Sequence, residues 1–170
     1  VVGSGNGALT AALCSHDGGA NTLVIEKSNQ FGGTSATSGG GVWIPNNRYA
    51  KAENVDDSND DARDYINSVS PPGKIKDELV ETYLSEGPKM IDYLHENSQV
   101  KYRNLAHYPD YFPDNPGGKA GNRSMEPEPI NGTKLGKDLG KLREQHPQTA
   151  FTMGPINMNF TQVEGQLLLG

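Results

Sequence analysis

The chain carries a single cysteine, Cys14, which excludes an internal disulfide framework. Basic residues are scarce: 15 Lys and Arg stand against 21 Asp and Glu, for a net charge of −6 and a pI of about 5.1. With no basic patch, nucleic acid is excluded as the main partner. No apolar run approaches the ~20 residues that a membrane-crossing helix needs, so no transmembrane segment is expected. The four histidines, His16, His95, His107 and His146, have no metal-ligand spacing and no nucleophile motif beside them, so no metal site is expected. No signal peptide is visible, and the lone cysteine is compatible with a reducing, cytoplasmic setting. The three sequons at Asn122, Asn131 and Asn159 are read as chance matches in an asparagine-rich chain. There is also no methionine at position 1. Val1-Val2 read as the end of a strand, and Leu167-Leu168-Leu169-Gly170 as the start of a helix. The expectation is therefore a fragment of a longer protein.

What is present begins at the first residue. In VVGSGNGA, Gly3, Gly5 and Ala8 fit the G-x-G-x-x-G/A pattern of a dinucleotide-binding turn. Gly3 lets the chain leave a strand in a tight turn, Gly5 lets a pyrophosphate approach the backbone, and Ala8 is small enough for the next helix to pack on a sheet. That helix, expected over 8–16 and closed by Gly18-Gly19, points its unpaired N–H groups and its positive dipole end at the phosphates. A short β-rich run, Thr22 to Ile25, follows and ends in Glu26. An acid at that point, roughly 20 residues past the glycines, is placed to accept hydrogen bonds from a ribose hydroxyl. Strand, turn, helix, strand and acid in this order predict an α/β, Rossmann-like domain with a parallel sheet. One such unit does not complete the sheet.

A second glycine-rich stretch occupies 31–41 (FGGTSATSGGG), with five glycines, four Ser or Thr and one Ala. Such backbone offers many unblocked N–H donors. A nicotinamide dinucleotide does not require it, whereas a flavin dinucleotide does, because its ring system lies against backbone. A flexible linker is the other reading of this composition. The rigid apolar Trp43-Ile44-Pro45 that follows argues against it.

Further along, Ser58 with Asp61 three residues on reads as a helix cap, and Ala62, Tyr65, Ile66 and Val69 form one apolar stripe at helical spacing. The acidic run Asp56-Asp57 and Asp60-Asp61 is read as a helix N-terminus rather than a metal site. Two helices are expected over 75–85 and 88–97, the second opened by Pro88, with Leu79, Tyr83, Met90, Ile91 and Leu94 in the core. A strand is expected within 100–105. The segment 107–124 holds Tyr108, Tyr111, Phe112, three prolines, three glycines and Arg123. Loops of this make-up line sites, although the tyrosines read equally well as packing residues. Residues 131–150 read as an exposed connection, and 151–163, apolar with two methionines, as a pocket lining.

Taken together, VVGSGNGALTAAL, LVIEKSNQFGGTSATSGGGVWIPNN and YPDYFPDNPGGKAGNRSMEPEP resemble the bacterial 3-ketosteroid Δ1-dehydrogenases. These belong to a flavin-binding branch shared with the fumarate reductase and succinate dehydrogenase flavoproteins. The resemblance implies FAD as cofactor. Glu26 holds the adenine ribose and the backbone around Ser4, Gly5 and Gly7 the pyrophosphate, with Gly3, Asn6, Ala8 and Lys27 in the same set. Gly32, Gly33, Thr34 and Ser35, then Ser38, Gly39 and Gly40, flank the flavin.

The implied reaction introduces a C1–C2 double bond into a 3-ketosteroid. A tyrosine takes the C2 proton and the C1 hydrogen leaves as hydride to flavin N5. A second tyrosine assists, and its position matches Tyr111. A free phenol, with a pKa of about 10, is a poor base at neutral pH and needs such help. The resemblance also implies a steroid-like substrate and a further electron acceptor of unspecified kind. It sets 1–170 as the N-terminal part of the FAD-binding domain, with the principal base and the substrate domain beyond residue 170. Phe112 stands where some members carry another tyrosine. Alternatives are a relative acting on the steroid Δ4 bond, a fumarate-reductase-like enzyme reducing a C=C bond, a truncated nucleotide-binding piece without activity, and, last, a nicotinamide-dependent dehydrogenase.

Overall fold

The computed structural model describes residues 1–144. The stretch 151–163, read as a pocket lining, lies outside them. The described residues form two units, Val1–Gly40 with 129–144, and Gly41–Glu128.

In the first unit the expected strand end is reduced to an isolated bridge. Val2 pairs in parallel with Ile25 through Gly3 N–H to the Ile25 carbonyl (2.7 Å) and Ile25 N–H to the Val1 carbonyl (3.0 Å). Parallel neighbours need a crossover, and helix α1 (Asn6–Asp17) supplies it. The helix ends as its glycines predict. Gly19 takes φ +86°, its N–H bonds the His16 carbonyl (2.8 Å) and Ala20 N–H bonds the Ser15 carbonyl (3.0 Å), a Schellman closure. No α1 side chain is buried among the described residues, and Cys14, expected as a packing residue, is exposed. Phe31 forms a second isolated parallel bridge with Leu142. Parallel pairing among the described residues is confined to these two bridges. The connection over 131–144 is mostly exposed, as expected, and holds 3-10 turns over Gly132–Lys141 broken at Gly136.

The second unit contains an antiparallel sheet of β1 (Val42–Trp43), β2 (Tyr102–Asn104) and β3 (Ser124–Pro127) in the order β1-β3-β2. Val42 faces Met125, and Arg103 faces Glu126. Three helices accompany it: α2 (Arg48–Ala52), α3 (Asn59–Val69) and α4 (Asp77–Asn97). Asn47 caps α2 by accepting from the N–H groups of Tyr49 and Ala50. Ser58 caps α3 by accepting from Asp61 N–H at 3.0 Å, as its spacing predicts. One core cluster joins Ile44, Ile91 and Met125, and another joins Ala62, Val80 and Leu84.

Two expectations are corrected here. The pair of helices over 75–97 is one helix that runs through Pro88. A proline clashes with the Cβ of the residue before it when that residue is helical, and the preceding residue is Gly87, which has none. Val80, Leu84, Gly87, Ile91 and Leu94 form a buried stripe of alternating four- and three-residue steps that holds both halves in line. Leu79 is therefore turned outward, 60% exposed, whereas Tyr83, 42% exposed, lies beside the stripe with its ring stacked on Trp43 and its hydroxyl donating to the Trp43 carbonyl. The second correction concerns the acidic run. Asp60 and Asp61 do open α3, but Asp57 is buried against Arg123.

Arg123 is the largest fully buried side chain of the unit. It donates from Nη2 to Asp57 Oδ1 (2.7 Å) and from Nη1 to Asp110 Oδ2 (2.9 Å); the three side chains are 1%, 4% and 2% exposed. Its guanidinium carbon lies 5.6 Å from the Trp43 ring centre and 5.8 Å from that of Tyr65. Removing one member of a buried pair strands the remaining charge. Arg123→Met is therefore expected to destabilise the fold by about 3–5 kcal/mol in chemical denaturation. A loss below about 1 kcal/mol, typical of an exposed pair, would contradict this role.

Candidate functional site

The first unit gathers three separated stretches around the start of α1. Gly3, at φ +92°, turns the chain out of the strand. Ser4 then points inward, 3% exposed. Its hydroxyl donates to Glu26 Oε2 (2.5 Å) and accepts from Gly32 N–H (2.9 Å). One oxygen thus ties the turn to the residue that follows the Val2–Ile25 bridge and to the second glycine stretch. Glu26 Oε1 accepts from Ser28 N–H at 3.1 Å. The Ser4 hydroxyl, and after it this N–H, hold the Glu26 carboxyl below its ordinary pKa. It stands as a carboxylate at neutral pH.

The second stretch folds against the turn. Ser35 Oγ accepts from Asn6 N–H (3.0 Å). Gly32 sits at φ +105°, and a Cβ there would lie 2.6 Å from that of Ala36, so no side chain fits. Gly33, at φ +55°, packs against the turn, where a Cβ would be in ordinary contact with Gly5 at 3.6 Å.

At the helix start, Leu9 N–H is the first to bond back into α1, to the Gly5 carbonyl. No protein acceptor among the described residues meets the N–H groups of Gly7 or Ala8. The first turn carries no acidic side chain, so its dipole is not neutralised there. A Cβ on Gly7 would meet no atom within 4 Å. Free N–H donors, a positive helix end, open space and a carboxylate at the neighbouring strand tip suit a molecule with both phosphate and ribose.

Of the residues singled out from the sequence, Gly3, Ser4, Gly5, Asn6, Gly7, Ala8, Glu26, Gly32, Gly33 and Ser35 converge here. Thr34 lies in the same segment, its carbonyl held by Thr37 Oγ1 (2.9 Å). Lys27 is exposed, and Ser38, Gly39 and Gly40 make no hydrogen bond to the turn among the described residues.

A family model described as "FAD binding domain" matches residues 1–161. The chain belongs to this FAD binding domain family. The cradle just described fits that cofactor: the unpaired N–H groups suit its pyrophosphate and Glu26 its ribose. Among the relatives of this FAD binding domain is a 3-oxosteroid 1-dehydrogenase of Mycolicibacterium smegmatis, 38% identical over 96% of this chain and 28% of that protein. A 4-oxocyclohexanecarboxylate 2-dehydrogenase of Sinomonas cyclohexanicum is also 38% identical, over 90% of this chain and 26% of that protein. A solved structure, the 3-ketosteroid Δ1-dehydrogenase of Sterolibacterium denitrificans in complex with 1,4-androstadiene-3,17-dione, superposes with a TM-score of 0.88. It is 36% identical and covers 98% of this chain and 30% of its own. The chain thus spans under a third of the length of the relatives it matches.

In the second unit Tyr111 lies on the loop between β2 and β3 and is 85% exposed. Phe112 beside it is 57% exposed. Sequence reasoning missed the buried side of this loop. Asp110, one residue before Tyr111, accepts from Trp43 Nε1 (2.6 Å), Arg123 Nη1 and Lys119 N–H (3.0 Å). A short acidic residue inside a Pro- and Gly-rich aromatic loop is the signal that could have found it. Among the described residues no group of three or more His, Cys, Asp or Glu side chains is placed to hold a metal, and no helix is long and apolar enough to cross a membrane.

Ser4→Ala removes the largest cause of the Glu26 shift. A carboxyl with a lowered pKa adds stability above its ordinary value and loses it as pH falls through the folded value. The Glu26 titration, followed by carboxyl carbon shifts in NMR, is expected to move up in Ser4→Ala, and that acid-side loss of stability to shrink. An unmoved titration would show that the Ser28 N–H alone sets it.

Proposed function

We propose that this chain is the N-terminal part of the FAD-binding domain of a 3-ketosteroid dehydrogenase, which introduces a C1–C2 double bond into the steroid A ring. The observation that carries the reading is the match to the androstadienedione-bound structure over almost the whole chain. That bound molecule has the double bond at C1 which such a reaction forms. The substrate domain and the principal base lie in this reading beyond residue 170, and further strands of the longer protein extend the Val2–Ile25 bridge into a parallel sheet.

The chain's own residues then take these roles. The N–H groups of Gly7 and Ala8, with the α1 dipole, hold the pyrophosphate of FAD. Glu26 accepts from the adenine ribose, its carboxylate oriented by Ser4 and Ser28. Gly32, Gly33, Thr34 and Ser35, and further on Ser38, Gly39 and Gly40, line the flavin side with backbone N–H groups. Lys27 borders the ribose end. Bound FAD supplies a two-electron acceptor for the hydride from C1. Tyr111 presents an exposed phenol, whose O–H stabilises by hydrogen bonding the oxygen of the tyrosine that takes the C2 proton.

The test is product analysis on the complete flavoprotein with a 3-ketosteroid and an artificial electron acceptor. A product lighter by two hydrogens, with olefinic protons at C1 and C2, is the expected result. An olefin placed at C4–C5 would move the activity to the Δ4 relative. Turnover of a small cyclic ketone but not of the steroid would move the substrate to the ring ketones named for the Sinomonas relative. Tyr111→Phe is expected to lower kcat by roughly a hundredfold with FAD still bound. Glu26→Ala is expected to lose FAD on dialysis; full flavin content afterwards would defeat the ribose role.

A further inference from the structure

Tyr111 is an aromatic residue with 85% of its surface exposed, yet the backbone on either side of it is pinned. On the N-terminal side, Asp110 is 5% exposed and uses both carboxylate oxygens. Oδ1 takes Trp43 Nε1–H, and Oδ2 takes Arg123 Nη1–H and Lys119 N–H. The Asp110 backbone is also fixed, its N–H donating to the Lys119 carbonyl at 3.0 Å. On the C-terminal side, Phe112 N–H donates to the phenol oxygen of Tyr65 (3.2 Å). Tyr65 is itself 6% exposed, with its ring 5.9 Å from that of Trp43 and within 5.8 Å of the Arg123 guanidinium. Arg123 therefore stands behind both pins. An exposed loop residue needs no such anchoring for stability alone, because its side chain buries almost nothing. A phenol that must be presented at one point in space does need it.

Resting on the reading of Tyr111 as the assisting phenol, we infer that Asp110 and Tyr65 are positioning residues that hold Tyr111 in its productive place, with Arg123 as their common support. They act through the Tyr111 backbone and touch no substrate.

The discriminating experiment is a double-mutant cycle on the complete flavoprotein, with kcat and KM measured for a 3-ketosteroid. Tyr65→Phe removes one oxygen and leaves the ring packing. It is expected to lower kcat on the order of tenfold, within the hundredfold that a misplacement of about 1 Å can cost. KM and the visible flavin spectrum are expected to stay unchanged. In a Tyr111→Phe background the same substitution is expected to change kcat by less than about twofold, because there is no phenol left to position. Asp110→Asn, which swaps an acceptor for a donor facing Arg123, is expected to repeat the pattern; should it not fold, Tyr65→Phe decides.

An equal loss in both backgrounds would overturn the inference and make these residues purely structural, leaving the role of Tyr111 intact. No loss in either background would overturn it as well. If Tyr111→Phe itself turns over normally, the reading of Tyr111 falls and the positioning inference with it.

Discussion

The site rests on one hydroxyl. Ser4 is the only side chain in the glycine turn that is both buried and polar, and its oxygen serves a donor and an acceptor in different parts of the chain. By donating to Glu26 it fixes the carboxylate at the strand tip, and by accepting from Gly32 it draws the second glycine stretch onto the first. Two hydrogen bonds contribute little to the stability of the whole fold. Their value lies in geometry. Gly3, Gly32 and Gly33 take backbone conformations that side chains resist, at φ +92°, +105° and +55°. The Ser4 oxygen is what closes these permissive pieces into one arrangement that leaves the α1 N-terminus free for a phosphate-bearing cofactor.

The second unit follows a different logic. It has a modest apolar core, and its centre is a buried cation between two carboxylates. A buried ion pair seldom stabilises more than a well-packed apolar substitute, so Arg123 is better understood through what it orients. It joins the segment before α3, through Asp57, to the β2–β3 loop, through Asp110, and lies over Trp43 and Tyr65. Every polar group on these side chains that could be left stranded finds a partner, and the loop that carries Tyr111 acquires a fixed shape without secondary structure.

How much of this was legible in the sequence depends on range. Local rules read well: the glycine turn, α1 with its glycine closure, Glu26 at the strand tip, and Ser58 as the cap of α3 are all set by residues within a few positions of each other. The bond between Ser4 and Glu26 spans 22 residues and was not legible, although the strand–turn–helix order that places Glu26 was. The misreadings come from tertiary choices. Pro88 signals a helix start by propensity, but a stripe from Val80 to Leu94 and the missing Cβ of Gly87 carry the helix through it. The acidic run gave no hint that Asp57 would be buried, because its partner Arg123 lies 66 residues away. The sheet that forms around Met125 is antiparallel and belongs to the second unit, and a reading built on the βαβ start had no reason to foresee it.

In the proposed reading, the cradle around Ser4 holds FAD in a protein that oxidises a 3-ketosteroid. The most direct test of that reading is the visible absorption spectrum of the complete purified protein, recorded before and after anaerobic addition of a 3-ketosteroid. The account predicts a flavin band that bleaches on addition, since the steroid's hydride then has nowhere else to go. A flavin band that survives the steroid unchanged would contradict the substrate assignment. A colourless protein that takes up no FAD when it is supplied would contradict the cradle itself.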